Sequence, residues 1–452
     1  MSYLFLFHVP PDVDHMAPLA WKLLEEGDEV HGVISAGLDP AGDHRLEKLR
    51  SYPSFHQQEL WPSSGGGGRT GRAYRRLRGY LRGTLPYAFL FLRRHRVELL
   101  ATEWGYGLPP GFERPRSRAW AVALLRSLVR SFVRPGSDPR RARTNFLVAA
   151  RVRGVPTVCL PHGLSIKLDL ASNAELADLL KDGPIDWRDR NRVSAYVFNT
   201  EHHRQWHLEH AMGDPEVMQT WGSLRWAPEW FELNRRLVPN FRWPGDPEGR
   251  VKVVLMVPKW VNQASPEATA ELIKRMQELD FVSLAIMGHP RPKRGTTDPL
   301  RADPDIRWAD LHDLTGANSV AVIDACDAMI DVGSSIGIEA VMQGKVLINP
   351  TYVHELTTLF DEVEGSCVFA RDADEVVEYL RAHAAGRPSR VDADAYGELM
   401  RRAVYGSHPE PFDVIDVYRR RVQELAAAQR HRTERGPSRT TTIRERTSHG
   451  SS

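Results

Sequence analysis

The stretch Asp331-Val-Gly-Ser-Ser-Ile-Gly-Ile-Glu-Ala-Val-Met-Gln-Gly-Lys-Val-Leu-Ile-Asn-Pro350 decides the fold, because strand, turn, helix and next strand follow one another within it. The apolar run Ala328-Met-Ile330 leads into the small residues Gly333-Ser334-Ser335, and the spacing predicts a helix from Ile336 to Gln343. Gly344 should stop that helix before a strand over Val346–Ile348. The first amides of a helix have no acceptor within it, and two serine hydroxyls add donors that can rotate, so the turn suits an anion. Glu339 falls about one helical turn further on, within reach of a ribose diol.

A second phrase lies upstream. The strand pattern Val282-Ser-Leu-Ala-Ile286 runs into Met287-Gly288-His289-Pro290-Arg291-Pro292-Lys293-Arg294. An imidazole and three cations therefore stand where strand gives way to loop. His289 can donate to a phosphate, Pro290 fixes the chain beyond it, and Arg291 adds charge. The pairing of His-Pro with Ser-Ser about 40 residues later is far more specific than either alone.

These phrases resemble the His-Pro and Ser-Ser motifs of bacterial sialyltransferases, capsular polysaccharide transferases and CDP-glycerol glycerophosphotransferases. The resemblance implies an α/β fold of GT-B architecture, two Rossmann-like domains facing a cleft, with His289, Pro290, Arg291, Gly333, Ser334, Ser335 and Glu339 around the nucleotide donor. Gly154-Val-Pro-Thr-Val-Cys-Leu-Pro-His-Gly163 is similar to a strand and Pro-His-Gly turn in the first domain of the same group. Asp14-His15-Met-Ala-Pro18 resembles the His-x-x-Pro helix start of many GT-B glycosyltransferases. Trp221-Gly222-Ser223-Leu224-Arg225-Trp226 is similar to the Gly-Ser-Pro-Arg phrase leading out of the first domain, with Leu224 in place of the proline.

Two domains suit 452 residues with 42% hydrophobic content. Residues 1–235 are expected to form an N-terminal, acceptor-binding Rossmann-like domain and 248–410 a C-terminal, donor-binding one, joined where Pro239, Pro244, Gly245 and Pro247 cluster. A helix over 411–429 should cross back to the first domain, and 430–452, rich in Arg, Thr and Ser, should be a disordered basic tail. The first domain should open with a strand over Tyr3–His8, a helix over His15–Glu26 and a strand over Glu29–Ser35. Residues 319–324 suit either a strand or a helix. Cys159, Cys326 and Cys367 are too scattered for a disulfide set or a metal motif. No run approaches about 18 apolar residues, so the expected location is the cytoplasm.

A net charge of +2 gives no general affinity for nucleic acid, but the distribution is uneven. From Arg69 to Arg96 there are nine arginines and no acid, and from Arg114 to Arg143 only Asp138 interrupts a second basic stretch. There Leu124, Leu125, Leu128 and Phe132 interleave with Arg126, Arg130 and Arg134. Two readings compete: a helix packed on the sheet with its arginines in solvent, or a patch that meets anionic membrane or acceptor on the inner membrane face. His203 and His207, one turn apart, could begin a metal site but have no third ligand at a recognisable spacing. They are expected to face solvent, and no metal is expected.

The activity these features imply is transfer of a sugar or polyol phosphate from a CMP-, CDP- or UDP-linked donor to a glycan or lipid-linked acceptor in capsular or other cell-envelope polysaccharide synthesis. No cofactor is called for beyond that donor. His15, expected at a helix start facing the cleft, and His162, at a strand end, are the candidate catalytic groups. Two alternatives share the architecture: a nucleotide-sugar 2-epimerase, which needs cleft acids placed for proton abstraction, and a non-catalytic nucleotide-binding scaffold.

Overall fold

The structure is a computed structural model and describes residues 1–35, 38, 40–60, 81–103, 118–133, 139–161, 168, 192–210, 212–245, 248–257, 260, 264–288, 298–387 and 392–434. Its frame is two parallel sheets. The first comprises β1 (Ser2–Phe7), β2 (Glu29–Ile34), β3 (Phe55–Glu59), β4 (Leu99–Glu103), β5 (Thr157–Leu160), β6 (Ala195–Phe198) and β7 (Met218–Thr220), in the order β3-β2-β1-β4-β5-β6-β7. The second comprises β8 (Val251–Met256), β9 (Val282–Met287), β10 (His312–Asp313), β11 (Ala328–Asp331), β12 (Val346–Pro350) and β13 (Val368–Ala370), in the order β10-β9-β8-β11-β12-β13. Each sheet reverses its order beside its first strand, between β1 and β4 and between β8 and β11. Ligands collect in the crevice outside the carboxyl ends of strands at such a reversal.

The strands belong here because helices cover both faces of a parallel sheet. All six residues of β1 are buried, as are all four of β11. Neither shows the alternation of a strand with one wet face.

The first helix runs from Pro10 to Glu25 and so begins five residues before the expected His15. Two prolines open it, at positions whose missing N–H costs nothing. The Asp12 carboxylate accepts the His8 and Val9 amides at 2.7 and 3.0 Å. His15 therefore lies inside the helix, not at its start. Residues 319–325 form a helix, with Asn318 accepting the Val320 amide at 3.0 Å.

Residues 201–209 are helical, but His203 and His207 are buried and do not face solvent as expected. Burial pushes the His207 imidazole down to about 4, and its ring packs edge-on against Phe198 with centroids 4.7 Å apart. It is a neutral core side chain.

The last helix, Val414–Glu434, packs on the first helix and on β4. It extends past residue 429 into the stretch expected to be disordered, while 435–452 lie outside the described residues. Tyr418 anchors it: fully buried, it donates to the Gly222 carbonyl at 2.8 Å and meets Trp221 edge-on at 5.0 Å. Tyr418→Phe keeps the ring and strands that carbonyl, so stability should fall by about 1–3 kcal/mol. Urea unfolding of the two proteins measures the difference, and an unchanged midpoint would show that the bond contributes nothing net.

Candidate functional site at the facing sheet ends

β11 ends in a turn built for close approach. Gly333 adopts φ +68°, a backbone conformation that strains any other residue, and a Cβ there would meet Leu356 Cδ1 at 2.9 Å and oblige that side chain to shift. The Asp331 carboxyl closes the turn by accepting the Ser334 amide at 2.9 Å. Ser334 is exposed and Ser335 half-buried. Ser335 caps the helix Ile336–Met342 by position, yet its hydroxyl makes no capping bond. Gly344, at φ +68°, then ends the helix, the Lys345 amide reaching back to the Ala340 carbonyl at 2.9 Å.

Burial pushes the Asp331 carboxyl up to about 8, although the Ser334 and Val332 amides pull the other way. At neutral pH it is largely protonated. It can therefore shape the turn without setting a negative charge against an anion bound there.

The second feature is a guanidinium that spans the two sheets. Arg225 follows β7 and directs Nε and Nη2 to Glu339 Oε1 at 2.8 and 2.5 Å. Its Nη1 lies 3.5 Å from Asp14 Oδ2 on the first helix. Asp14 in turn pairs with Arg45, which grips Asp43 through Nε at 3.0 Å and Nη2 at 2.6 Å. Burial alone would raise the Asp14 carboxyl, but the Arg225 and Arg45 cations bring it below its usual range. Burial likewise works against charge on Arg225, and Asp14 and Glu339 outweigh it. Asp14 belongs to the helix after β1 and Glu339 to the helix after β11. Arg225 thus holds the two strand-order reversals face to face.

Of the residues singled out in the sequence, Gly333, Ser334, Ser335 and Glu339 are brought together at this place. Glu339 is buried with Oε1 given to Arg225, while Oε2 has no hydrogen-bond partner among the described residues. His15 is 1% exposed and lies about 100° around the helix from Asp14, away from the face Arg225 meets. His162, His289, Pro290 and Arg291 lie outside the described residues. Sequence reasoning missed Arg225 and Asp14, although both stand inside phrases it quoted. The arginine closing Gly222-Ser223-Leu224-Arg225 was the available signal. Glu103, at the end of β4, is a further carboxylate with an arginine partner, Arg143, and is buried. An apolar cavity of about 270 Å³ between Trp226, Phe231, Met342 and Met400 lies at the far end of the Ile336–Met342 helix, away from the turn.

No protein-family model matches the chain, and no curated protein matches it in sequence. Among solved structures, a UDP-N-acetylglucosamine 2-epimerase superposes with a TM-score of 0.53 at 12% identity, over 97% of this chain and 98% of that one. A Listeria monocytogenes protein assigned as a UDP-N-acetylglucosamine 2-epimerase gives 0.52 at 10% identity, over 97% of each chain. The complex of S. aureus MnaA with UDP gives 0.50 at 12% identity, over 96% of this chain and 98% of that one. At such identities the likeness is one of fold. The chain has the two-Rossmann GT-B architecture that its sequence motifs implied.

The raised Asp331 carboxyl links stability to pH. The folded state keeps a proton that the unfolded chain has released, so stability is full below about 4 and falls as pH rises toward about 8, then levels off. Asp331→Asn removes that loss. Its melting temperature relative to wild type should climb between pH 4 and pH 8, and a constant offset across that range would contradict the assignment.

Proposed function

We propose that this chain transfers a sugar or polyol phosphate from a nucleotide-activated donor to a hydroxyl of a surface-glycan acceptor. The observation that carries the reading is the juxtaposition made by Arg225, which sets the Gly333-Ser334-Ser335 turn against the carboxyl end of the first sheet. In this reading the second sheet binds the donor, its phosphates lying between the serine turn and His289, and the first sheet offers the acceptor. Negative charge growing on the departing phosphate would meet the serine hydroxyls, helix amides and His289, with protonated Asp331 adding no repulsion. Burial of His15 favours His162 as the base that takes the acceptor proton.

The epimerase alternative draws on the same fold, which a solved UDP-N-acetylglucosamine 2-epimerase shares. It needs a carboxylate free to take a proton from carbon. Asp14, Glu103 and Glu339 are each held by an arginine, which suits charge balance more than proton abstraction, and Asp331, at the end of β11, is largely protonated at neutral pH. Product analysis separates the two. Purified protein given UDP-, CDP- and CMP-sugars should release free nucleotide only when a polysaccharide or lipid-linked acceptor is present. Ser334→Ala/Ser335→Ala should weaken nucleotide binding, and His162→Ala should lower kcat by roughly 10²-fold while leaving that binding nearly intact. An epimerised donor, formed without acceptor, would establish the other activity.

No described helix is long and apolar enough to cross a membrane. Helix Arg118–Val133 nonetheless leaves an apolar stripe in solvent: Leu125 is 60% exposed and Val129 50%, with Val122 and Leu128 beside them. Among the residues of this helix whose burial is described, Ala123 packs inward with Trp120 and Leu124 partly buried against the same core. With Arg118 and Arg126 exposed on the same helix, the stripe supports shallow insertion into an anionic bilayer, close to a lipid-linked acceptor. Leu125→Ser/Val129→Ser should reduce sedimentation with phosphatidylglycerol vesicles several-fold, and wild-type binding should weaken as salt rises. Equal sedimentation of both proteins would return the stripe to an ordinary surface.

A further inference from the structure

At the opposite edge of the first sheet, where strands begin, four side chains of metal-binding type converge. Glu29 and His31 are two residues apart on β2 and share a face. His56 is the direct neighbour of His31 across the β2–β3 ladder, so its side chain projects to the same side. That face is covered by the helix Leu85–Arg94, and His95, the residue after it, brings its ring centroid to 4.4 Å from that of His31. The backbone of His95 is pinned, its carbonyl accepting the Ser2 hydroxyl at 2.8 Å. Tertiary structure thus gathers groups from two strands and a helix end.

We propose that Glu29, His31, His56 and His95 form a Zn²⁺ site. Ligand atoms of Glu29, His31 and His95 all lie within 4.8 Å of one another. Glu29 Oε1 stands 3.3 Å from His31 Nε2 and 3.2 Å from His56 Nε2. Donors about 2.0–2.1 Å from a tetrahedral zinc are about 3.3 Å apart, so these separations already match an edge of the tetrahedron. His31 Nε2 is buried and, among the described residues, makes no hydrogen bond in spite of that neighbour. It is a lone pair or N–H directed into the cluster without a satisfied partner, which burial makes costly and a cation would relieve.

The electrostatics agree. Burial, with His95 and His56 adding repulsion, pushes the His31 imidazole down to about 3, and burial together with Arg94 lowers His95. Neutral imidazole is the form that binds metal, so no proton need be expelled from His31 at neutral pH. Glu29 and His56 are about half exposed, at 45% and 49%, and leave a path for the ion. Three imidazoles and one carboxylate fill a tetrahedron and leave no open position, the pattern of a structural site. Its place at the amino ends of the strands, away from the Gly333 turn and Asp14, fits a role in joining β2, β3 and the Leu85–Arg94 helix.

Full-length protein stripped with a chelator should take up one equivalent of Zn²⁺ at micromolar or lower concentration, and its melting temperature should rise with zinc. His95→Gln and His56→Ala should each bind at least about tenfold more weakly, and the double variant should show no zinc-dependent rise. Absence of saturable binding by wild type, or wild-type affinity in the folded variants, would overturn the site. If the variants fail to fold, X-ray absorption on the wild-type zinc form decides: a nitrogen and oxygen shell with three imidazoles supports the assignment, and a shell with sulfur or a single imidazole refutes it.

Discussion

One guanidinium governs the arrangement of this molecule. Arg225 stands between two carboxylates, Asp14 from the first sheet's leading crossover and Glu339 from the helix after β11. Without it two negative charges would face each other in a partly dry space. With it, the cluster continues through Arg45 to Asp43, so that each of the three carboxylates has a guanidinium beside it. Removing one member of such a cluster typically costs about 3–5 kcal/mol, because the group left behind is stranded away from water. The consequence is geometric as well as energetic: a fork-shaped cation with fixed donor directions specifies how the two sheets meet.

Strand direction supplies the rest. Because every strand in each sheet runs parallel, all carboxyl ends lie on one edge and all amino ends on the other. The carboxyl edges carry the small-residue turn, the protonated Asp331 and the arginine-held carboxylates. The amino edge of the first sheet carries the imidazole cluster. The same polarity that makes a crevice at one edge therefore separates it from the groups at the other, and each edge has its own ligand chemistry.

Much of this was legible in the sequence because it is local. The Ser334-Ser335 turn announced itself through an apolar strand, small residues, a short helix pattern and a stopping glycine, all consecutive. The GT-B architecture followed from such phrases in both halves. The error about the first helix was local too. Pro10 and Pro11 are compatible with the first positions of a helix, and the earlier start they allow moved His15 from an entrance to an interior. His203 and His207 misled for a different reason: a polar residue type suggests solvent, but a neutral imidazole packs against Phe198 as an aromatic ring does.

The sequence by itself determined the α/β alternation, the two-Rossmann plan and the turn after β11, since period, punctuation and turn chemistry act over a few residues. Only the tertiary structure decided which charges meet. Arg225 and Glu339 are 114 positions apart, and Glu29, His31, His56 and His95 come from three separate elements. No spacing rule joins such residues. Their proximity follows from strand order and from how the two sheets face each other, and burial there sets which of them carry a proton.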